Sequence, residues 1–399
     1  MMVRVLTFST LYPSAVNPSH GIFVETRLRH LAQTGRIQSR VIAPVPWFPI
    51  NSRLFSGYSA YARVAQHEVL NGIEVLHPRY PVIPKFGMSV APLLLALWSL
   101  SSIAHVRRSG FDFDVIDAHY YYPDGVAAAI LARYFRKPLV ITARGTDLNL
   151  IPQYRIPRKL IQWAAAQADH SITVCAALQD ELARLGVDRS DITVLRNGVD
   201  LERFAPVDRE LARQELGLDG GLTFISVGHL VERKGHDIAI KALMRFPTAK
   251  LLIVGDGELR RELEQLTVSL GLSGKVRFMG SVPQDRLKYY FSAADALILA
   301  SSREGWPNVL LESMACGTPV VATRVWGSPE VVCATEAGVL VELRTEKAIG
   351  DGLARLLATH PTREATRLYA ERFSWDDTTQ GQLRLFKSIL ARRADLCAA

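Results

Sequence analysis

A chain of 399 residues is long enough for two or three domains and too long for one simple core. With 48% hydrophobic and 22% charged residues, 27 Gly and 20 Pro, the composition is globular and excludes a disordered or fibrous protein. A net charge of +8 favours anionic partners such as nucleotides, phosphates or a membrane surface, and the lack of a Lys/Arg run argues against nucleic acid. Cys175, Cys316, Cys333 and Cys397 are far apart with no CxxC pair, which speaks against a disulfide framework or structural zinc and fits a reducing compartment. The opening MMVRVLTFST reads as a strand rather than a signal peptide, so a cytoplasmic location is expected.

In chain order, apolar β-branched runs fall at 3–10, 40–45, 73–78, 115–119, 139–143, 171–175 and 192–196. A second set follows at 222–227, 250–254, 276–279, 296–300, 319–323 and 339–343. Helix-length segments separate them, the pattern of parallel sheets covered on both faces. Thirteen strands are too many for one such sheet, so the chain is expected to be α/β with two doubly wound domains, 1–200 and 201–373. The boundary is placed after LRNGVD (195–200), where a charged stretch with Pro and Gly (201–221) precedes the next strand. From 374 on, Leu383, Phe386, Ile389 and Leu390 are spaced as one face of a terminal helix. Residues 86–104 are nineteen consecutive uncharged residues, close to a bilayer span. Pro92, four serines and the need for a crossover between the runs at 73–78 and 115–119 favour a buried helix there, with surface membrane contact the lesser reading.

Ligands of open parallel sheets bind where strands end and helices begin. GHLVERKG (228–235) follows a strand, with Gly228 for the turn and Arg233 and Lys234 as cations beside a helix start, a phosphate-binding arrangement. GDGELRRELEQL (255–266) places Gly255 and Gly257 where backbone can approach a ligand closely. There is no GxxxxGK[ST] and no GxGxxG after the first strand, so neither a P-loop nor a dinucleotide site is indicated. SSREGWPNVLLESMACGTPVVAT (301–323) is the strongest signal. Glu304 is expected at a strand end, Pro307 in a helix's first turn, and Glu312 just inside that helix, leaning back towards its start. The N–H groups of Asn308 to Leu310 would then face a diphosphate, one carboxylate would hold ribose hydroxyls and the other would orient a transferred sugar.

GHLVERKGHDIAIKAL together with EGWPNVLLESMACGTPVVAT resembles the nucleotide-sugar half of the retaining glycosyltransferases of family 4, which have the GT-B fold. LYPSAVNPSHGIFVETRLRHLA (11–32), DVIDAHYYYPDG (114–125), ITARGTDLN (141–149) and LRNGVD are similar to that family's acceptor-side elements. The resemblance implies two Rossmann-like domains facing a central cleft, with a C-terminal helix (374–399) crossing back to the N-domain. It implies retaining, metal-independent transfer from a nucleoside-diphosphate sugar to a glycan or lipid-linked hydroxyl, with no cofactor. The protein would serve cell-surface polysaccharide or glycolipid synthesis on the cytoplasmic face of a membrane. Glu312 is implied as ribose ligand, Glu304 as donor-sugar contact, Lys234 and Arg233 as diphosphate partners. Gly305, Trp306, Asn308 and Val309 form the implied backbone cradle, and Gly21 opens a helix towards the donor phosphate. His119 is implied near the reacting sugar, and Asp147 near the acceptor. His229 stands where the family commonly has arginine, and Arg144 where it usually has histidine. Tyr120, Tyr121 and Tyr122, with the aromatic segment 45–50, suggest an apolar acceptor region. No Asp-x-Asp metal pair is expected, in keeping with metal independence, and no carboxylate in the motifs is an evident nucleophile, which favours same-face attack with the leaving phosphate as base. The alternatives are a catalytically inactive nucleotide-sugar binder and a GT-B-like sugar-nucleotide epimerase.

Overall fold

The structure is a computed structural model that describes residues 2–47, 61–82 and 87–398. It divides into two compact units, the first running to Arg196 and including the helix from Asp376 on, the second Asn197–Trp375.

The strands of the first unit are β1 (Val3–Phe8), β2 (Ile37–Ile42), β3 (Val45–Trp47), β4 (His67–Leu70), β5 (Ile73–Leu76), β6 (Arg79–Pro81), β7 (Val115–His119), β8 (Leu139–Ala143), β9 (His170–Thr173) and β10 (Ile192–Val194). Among the described residues, one sheet has the order β10-β9-β8-β7-β1-β2-β5-β4, and β3 pairs with β6 apart from it. Its neighbours run parallel except β4 and β5, a hairpin whose turn, Asn71-Gly72, has φ 50 and 79. Asn-Gly is the pair that tolerates two positive φ values in succession, so HEVL-NG-IEVL was a hairpin signal in the sequence. β7 and β8 are buried at every position; β8 (LVITA) is apolar but for Thr142, while β7 (VIDAH) also buries Asp117 and His119. Val3, Val5, Val115, Val140 and Ile172 pack against Leu383, Phe386 and Ile389 of the terminal helix Asp376–Ala398, which covers one face of this sheet.

The apolar segment forms the helix Gly87–Arg108, long and apolar enough by length and composition to cross a membrane. Here it is the connection between β6 and β7. Leu95, Ala96, Ile103 and Val106 are buried, and Leu93, Leu97 and Trp98 are exposed. Phe86 lies outside the described residues.

The second unit holds β11 (Thr223–Val227), β12 (Lys250–Val254), β13 (Val276–Gly280), β14 (Ala296–Leu299), β15 (Val320–Thr323) and β16 (Gly338–Val341). They form a sheet in the order β13-β12-β11-β14-β15-β16, parallel throughout. In each sheet the chain winds outward one way and then restarts on the other side of its first strand, so the order reverses at β1/β7 and at β11/β14. Loops leaving the two strands at such a reversal diverge and open a crevice at the carboxyl edge. The loops after β1 and β7 carry LYPSAVNPSHG and YYYPDG, and those after β11 and β14 carry GHLVERKG and SREGWP; RGTDLN and GDG follow the adjoining strands β8 and β12.

Candidate active site

In the second unit, the reversal brings GHLVERKG beside SREGWP. Lys234 Nζ lies 2.6 Å from Glu304 Oε1, Ser301 Oγ donates to the same oxygen at 2.7 Å, and Arg233 Nη1 is 3.9 Å away. Both members of the Lys234–Glu304 pair are largely withdrawn from water. Burial alone would raise the Glu304 carboxyl, but Lys234, Ser301 and Arg233 outweigh it and hold the group below its ordinary value. Arg344, which the motif reading missed, fastens this loop: it donates to the Ala300 carbonyl at 2.9 Å and to Glu232 Oε1 at 2.9 Å. Ser302 N–H donates to the Arg233 carbonyl at 2.8 Å, closing loop on loop.

Glu312 is in a different state. It lies in the second turn of the helix Asn308–Ala315, half-buried, and among the described residues its carboxylate has no hydrogen-bond or ion-pair partner. Desolvation pushes it up to about 7, with Arg203 and Lys234 close enough to pull the other way. A half-buried carboxylate without donors is costly unless something supplies them.

The helix start differs from expectation. Pro307 occupies the N-cap position, one place before the helix. Asn308 and Leu310 N–H groups donate to the carbonyls of Trp306 and Pro307, both at 3.0 Å, so Val309 is the one of the three expected amides with no such turn bond. The Trp306 ring is buried, its centroid 6.3 Å from that of Phe373, and so belongs to the core; only its backbone belongs to the cradle with Gly305. Asn308 Oδ1 accepts from Asn197 Nδ2 at 3.2 Å, so the asparagine of LRNGVD belongs to the second unit and meets the start of this helix.

The glycines of the two loops are explained by backbone packing. A Cβ on Gly255, at φ 136, would lie 2.0 Å from the Gly228 carbonyl oxygen, and one on Gly257 would lie 2.6 Å from that of Leu230. The close approach these contacts require is between the loops themselves. Gly228 in turn lies under the Lys234 stem. The His229 side chain is exposed, and its carbonyl accepts from Val231 N–H at 2.9 Å and lies 3.3 Å from His236 Nε2.

In the first unit, His119 ends β7 and is buried. Arg144 Nη2 is 2.6 Å from His119 Nδ1, and Asp117 Oδ2 is 3.2 Å from Nε2. Arginine only donates, so Nδ1 accepts and the Nε2 proton faces Asp117. Desolvation lowers the ring to about 4, with Asp117 raising it and Arg144 and Arg27 lowering it, so His119 is neutral at pH 7. Gln382 of the terminal helix extends the chain of contacts: its Nε2 donates to Asp117 Oδ2 at 2.8 Å and its Oε1 accepts from Arg27 Nε at 2.6 Å. Sequence reasoning missed Arg27, Asp117 and Gln382. The i, i+2 spacing of Asp117 and His119 on one strand face was available; nothing local marked Gln382.

Asp147 is fully buried and its oxygens accept from the N–H groups of Tyr121 at 2.8 Å, Gly145 at 2.6 Å and Arg144 at 3.1 Å. It therefore acts through these backbones, not through an oxygen exposed to an acceptor. Tyr121 and Tyr122 are also buried, with Tyr121 Oη 2.6 Å from Ser171 Oγ and Tyr122 bonded to the Met88 carbonyl. Tyr120, partly exposed at φ 83, is the one of the three that can offer an acceptor a surface. In the segment 45–50, Val45–Trp47 is β3, and residues 48–50 lie outside the described residues. Asp124, also missed, accepts from the Thr10 N–H and from Thr10 Oγ1 at 3.0 Å, tying the loop after β1 to the loop after β7. Gly21 caps the helix Ile22–Gln33 at φ 64, where a Cβ would lie 2.2 Å from the Leu11 carbonyl carbon.

Asp112 and Asp114, the second of which opens DVIDAHYYYPDG, do form an Asp-x-Asp sequence, a correction to the expectation of none. Asp112 is taken by Arg107 at 3.0 Å and Lys137 at 3.1 Å, and Asp114 accepts from the Arg4 N–H at 2.8 Å, so the pair holds structure ahead of β7. Among the described residues, no group of three or more His, Cys, Asp or Glu is placed to hold a metal.

The profile of glycosyl transferases group 1 matches residues 208–373, and that of glycosyltransferase family 4 matches residues 63–203. The teichuronic acid biosynthesis glycosyltransferase TuaC of Bacillus subtilis is 30% identical over 366 residues, covering 88% of this chain and 89% of that protein. The chain belongs to the group 1 glycosyltransferases. The D-inositol 3-phosphate glycosyltransferase of Acidothermus cellulolyticus is 33% identical to this glycosyltransferase over 314 residues, 72% of the chain and 70% of the relative. The fold is GT-B: the Anabaena protein HepE, solved in complex with UDP, superposes with TM-score 0.71 at 20% identity, covering 97% of the glycosyltransferase and 100% of HepE.

Proposed function

We propose that this glycosyltransferase moves a sugar from a nucleoside-diphosphate sugar to a hydroxyl of a glycan or lipid-linked acceptor, with retention and without a bound metal. We place it in the cytoplasm at the membrane face, in polysaccharide or glycolipid synthesis. The observation that carries the donor is the contrast between two glutamates. Glu304 Oε1 accepts from both Lys234 and Ser301, whereas Glu312 is half-buried, beside the start of a helix, and without donors among the described residues. Two ribose hydroxyls supply what that carboxylate lacks, and each such charge-assisted bond is stronger than a neutral one. UDP in the complex of HepE, which has the same fold, supports a nucleotide at this site. TuaC, by its name, belongs to teichuronic acid synthesis, which supports a polysaccharide acceptor.

As the bond to the sugar breaks, negative charge grows on the diphosphate. Lys234, Arg233 and the Val309 N–H are fixed groups that oppose this charge without reorganising, which is the cation's role in a metal-dependent enzyme. In the first unit, burial and Arg144 keep His119 neutral against the pull of Asp117, and the contacts with Arg144 and Asp117 orient it, so its ring is a polar group rather than an acid at pH 7. Glu304 accepts from Lys234 and Ser301 and Glu312 is given to the ribose, so neither is the evident nucleophile, which supports same-face attack with the departing phosphate taking the acceptor's proton.

The test has two stages. UDP-, GDP- and ADP-sugars are compared for thermal stabilisation, and the best donor is then turned over in EDTA with a saccharide or lipid-linked acceptor. Proton NMR of the product reads the anomer. Retention in EDTA is expected. Inversion, or activity lost to chelation and restored by magnesium or manganese, overturns the mechanism, and donor rearrangement without an acceptor points to an epimerase.

A further inference from the structure

The exposed face of the helix Gly87–Arg108 is used by nothing described so far. Leu93, Leu97 and Trp98 are 51%, 49% and 45% exposed, within a turn and a half of one another. Leu93, Leu97, Leu100 and Ala104 recur at helical spacing and form one stripe, which runs into Arg107 and Arg108 in the last turn. At that end, Leu100, Ala104 and Arg107 line a shallow cavity of about 620 Å³ with Tyr134 and Arg136 from the end of the neighbouring helix Val126–Phe135 and just past it. Tyr134 is 68% exposed. Residues 87–111 and 126–138 contain five Lys or Arg (Arg107, Arg108, Arg133, Arg136 and Lys137) and no Asp or Glu. Asp112, the acidic residue paired here, is shared by Arg107 and Lys137, so cations outnumber it.

The exposed leucines of this stripe, with Trp98 beside them on the same open side of the helix, are unfavourable in water, and apolar surface of this kind marks a binding face. Two copies of this face would set five cations against five, which disfavours self-association. An anionic lipid surface meets both features: apolar side chains enter the headgroup boundary, tryptophan and tyrosine sit at that level, and arginines pair with phosphates. Leu95, Ala96, Ile103 and Val106 face the core on the opposite side of the helix, so it lies along a surface and does not leave the fold to span it.

We propose that Leu93, Leu97, Trp98, Tyr134 and the flanking arginines form the surface by which this protein docks on an anionic bilayer. The inference rests on the membrane-face location proposed above and names the surface responsible. The full chain is co-sedimented with vesicles of phosphatidylcholine alone and of phosphatidylcholine with phosphatidylglycerol. Binding is expected to the anionic vesicles, to weaken with salt, and to fall at least tenfold in Leu97→Asp and several-fold in Arg108→Glu. Both residues are exposed, so melting temperature and transfer to a soluble acceptor are expected to stay unchanged. If the unaltered chain ignores anionic vesicles, both the location and the surface are overturned. If it binds and neither variant weakens it, the location stands and this surface is wrong. A dimer that Leu97→Asp dissociates, without vesicle binding, gives the face to a second copy and overturns the proposal.

Discussion

Replacing Glu312 by Gln separates what this residue does for the donor from what it does to the fold. Its carboxyl is pushed from an ordinary 4.5 up to about 7, chiefly by desolvation. A folded value above the unfolded one means that the folded protein binds the proton more tightly. Stability is then complete below about 4.5 and declines as pH rises through about 7. At about 1.36 kcal/mol per unit, the ionised carboxylate costs the fold up to about 3 kcal/mol above pH 7 and less than about 1 kcal/mol at pH 5. Gln keeps the volume and removes the titration. The Gln variant is therefore expected to gain about 2 kcal/mol over the parent between pH 5 and pH 8, roughly 4–8 °C in Tm for a unit of this size. Donor binding should move the other way: losing charge-assisted bonds worth about 1.5–3 kcal/mol weakens the nucleotide sugar roughly tenfold to a hundredfold. Scanning calorimetry at several pH values and donor titration by isothermal calorimetry read the two effects. A Tm difference that is flat from pH 5 to pH 8, or a donor affinity unchanged within twofold, refutes the reasoning.

Lys234→Met leaves Glu304 buried without its nearest cation, and removing one member of such a pair typically costs about 3–5 kcal/mol. Turnover should fall sharply as well, and adding Glu304→Gln should recover at least about 1 kcal/mol of stability; additive effects in the double variant would contradict the pairing. Gln382→Leu takes partners from both Arg27 and Asp117, each buried, and should cost about 1–3 kcal/mol and lower kcat more than it raises the donor KM. Unchanged melting and unchanged kcat together would show that the contacts carry neither stability nor the orientation of His119.

The candidate strands were legible because both faces of a parallel strand are buried, so apolar and β-branched residues dominate it even where, as at Asp117 and His119, polar ones are included. The runs at 115–119 and 139–143 are β7 and β8 to the residue. β3 and β6, three residues each with a proline in both, offered no such run, and the β4–β5 hairpin was missed although Asn71-Gly72 announced it. Within the site, Glu304, Lys234 and Glu312 were legible as types at strand ends and helix starts. Their different states were not, because a carboxylate's partners depend on atoms seventy residues away. The same limit applied to Asp147 and Tyr121, whose burial is a property of the packed unit and leaves no mark in GTDLN or HYYYPDG.

What the amino-acid order determined alone is local: which segments alternate or run apolar, where glycine and proline interrupt them, and which polar groups follow each strand. The order of strands within each sheet, and hence the reversals at β1/β7 and β11/β14, belonged to the tertiary structure. It decided that Lys234 would meet Glu304, that Glu312 would be left without donors among the described residues, and that Gln382 would reach Asp117 across 265 residues. The physical reason is that burial and pairing energies are set by neighbours in space. Parallel sheets bring those neighbours together through long crossovers that sequence spacing does not record.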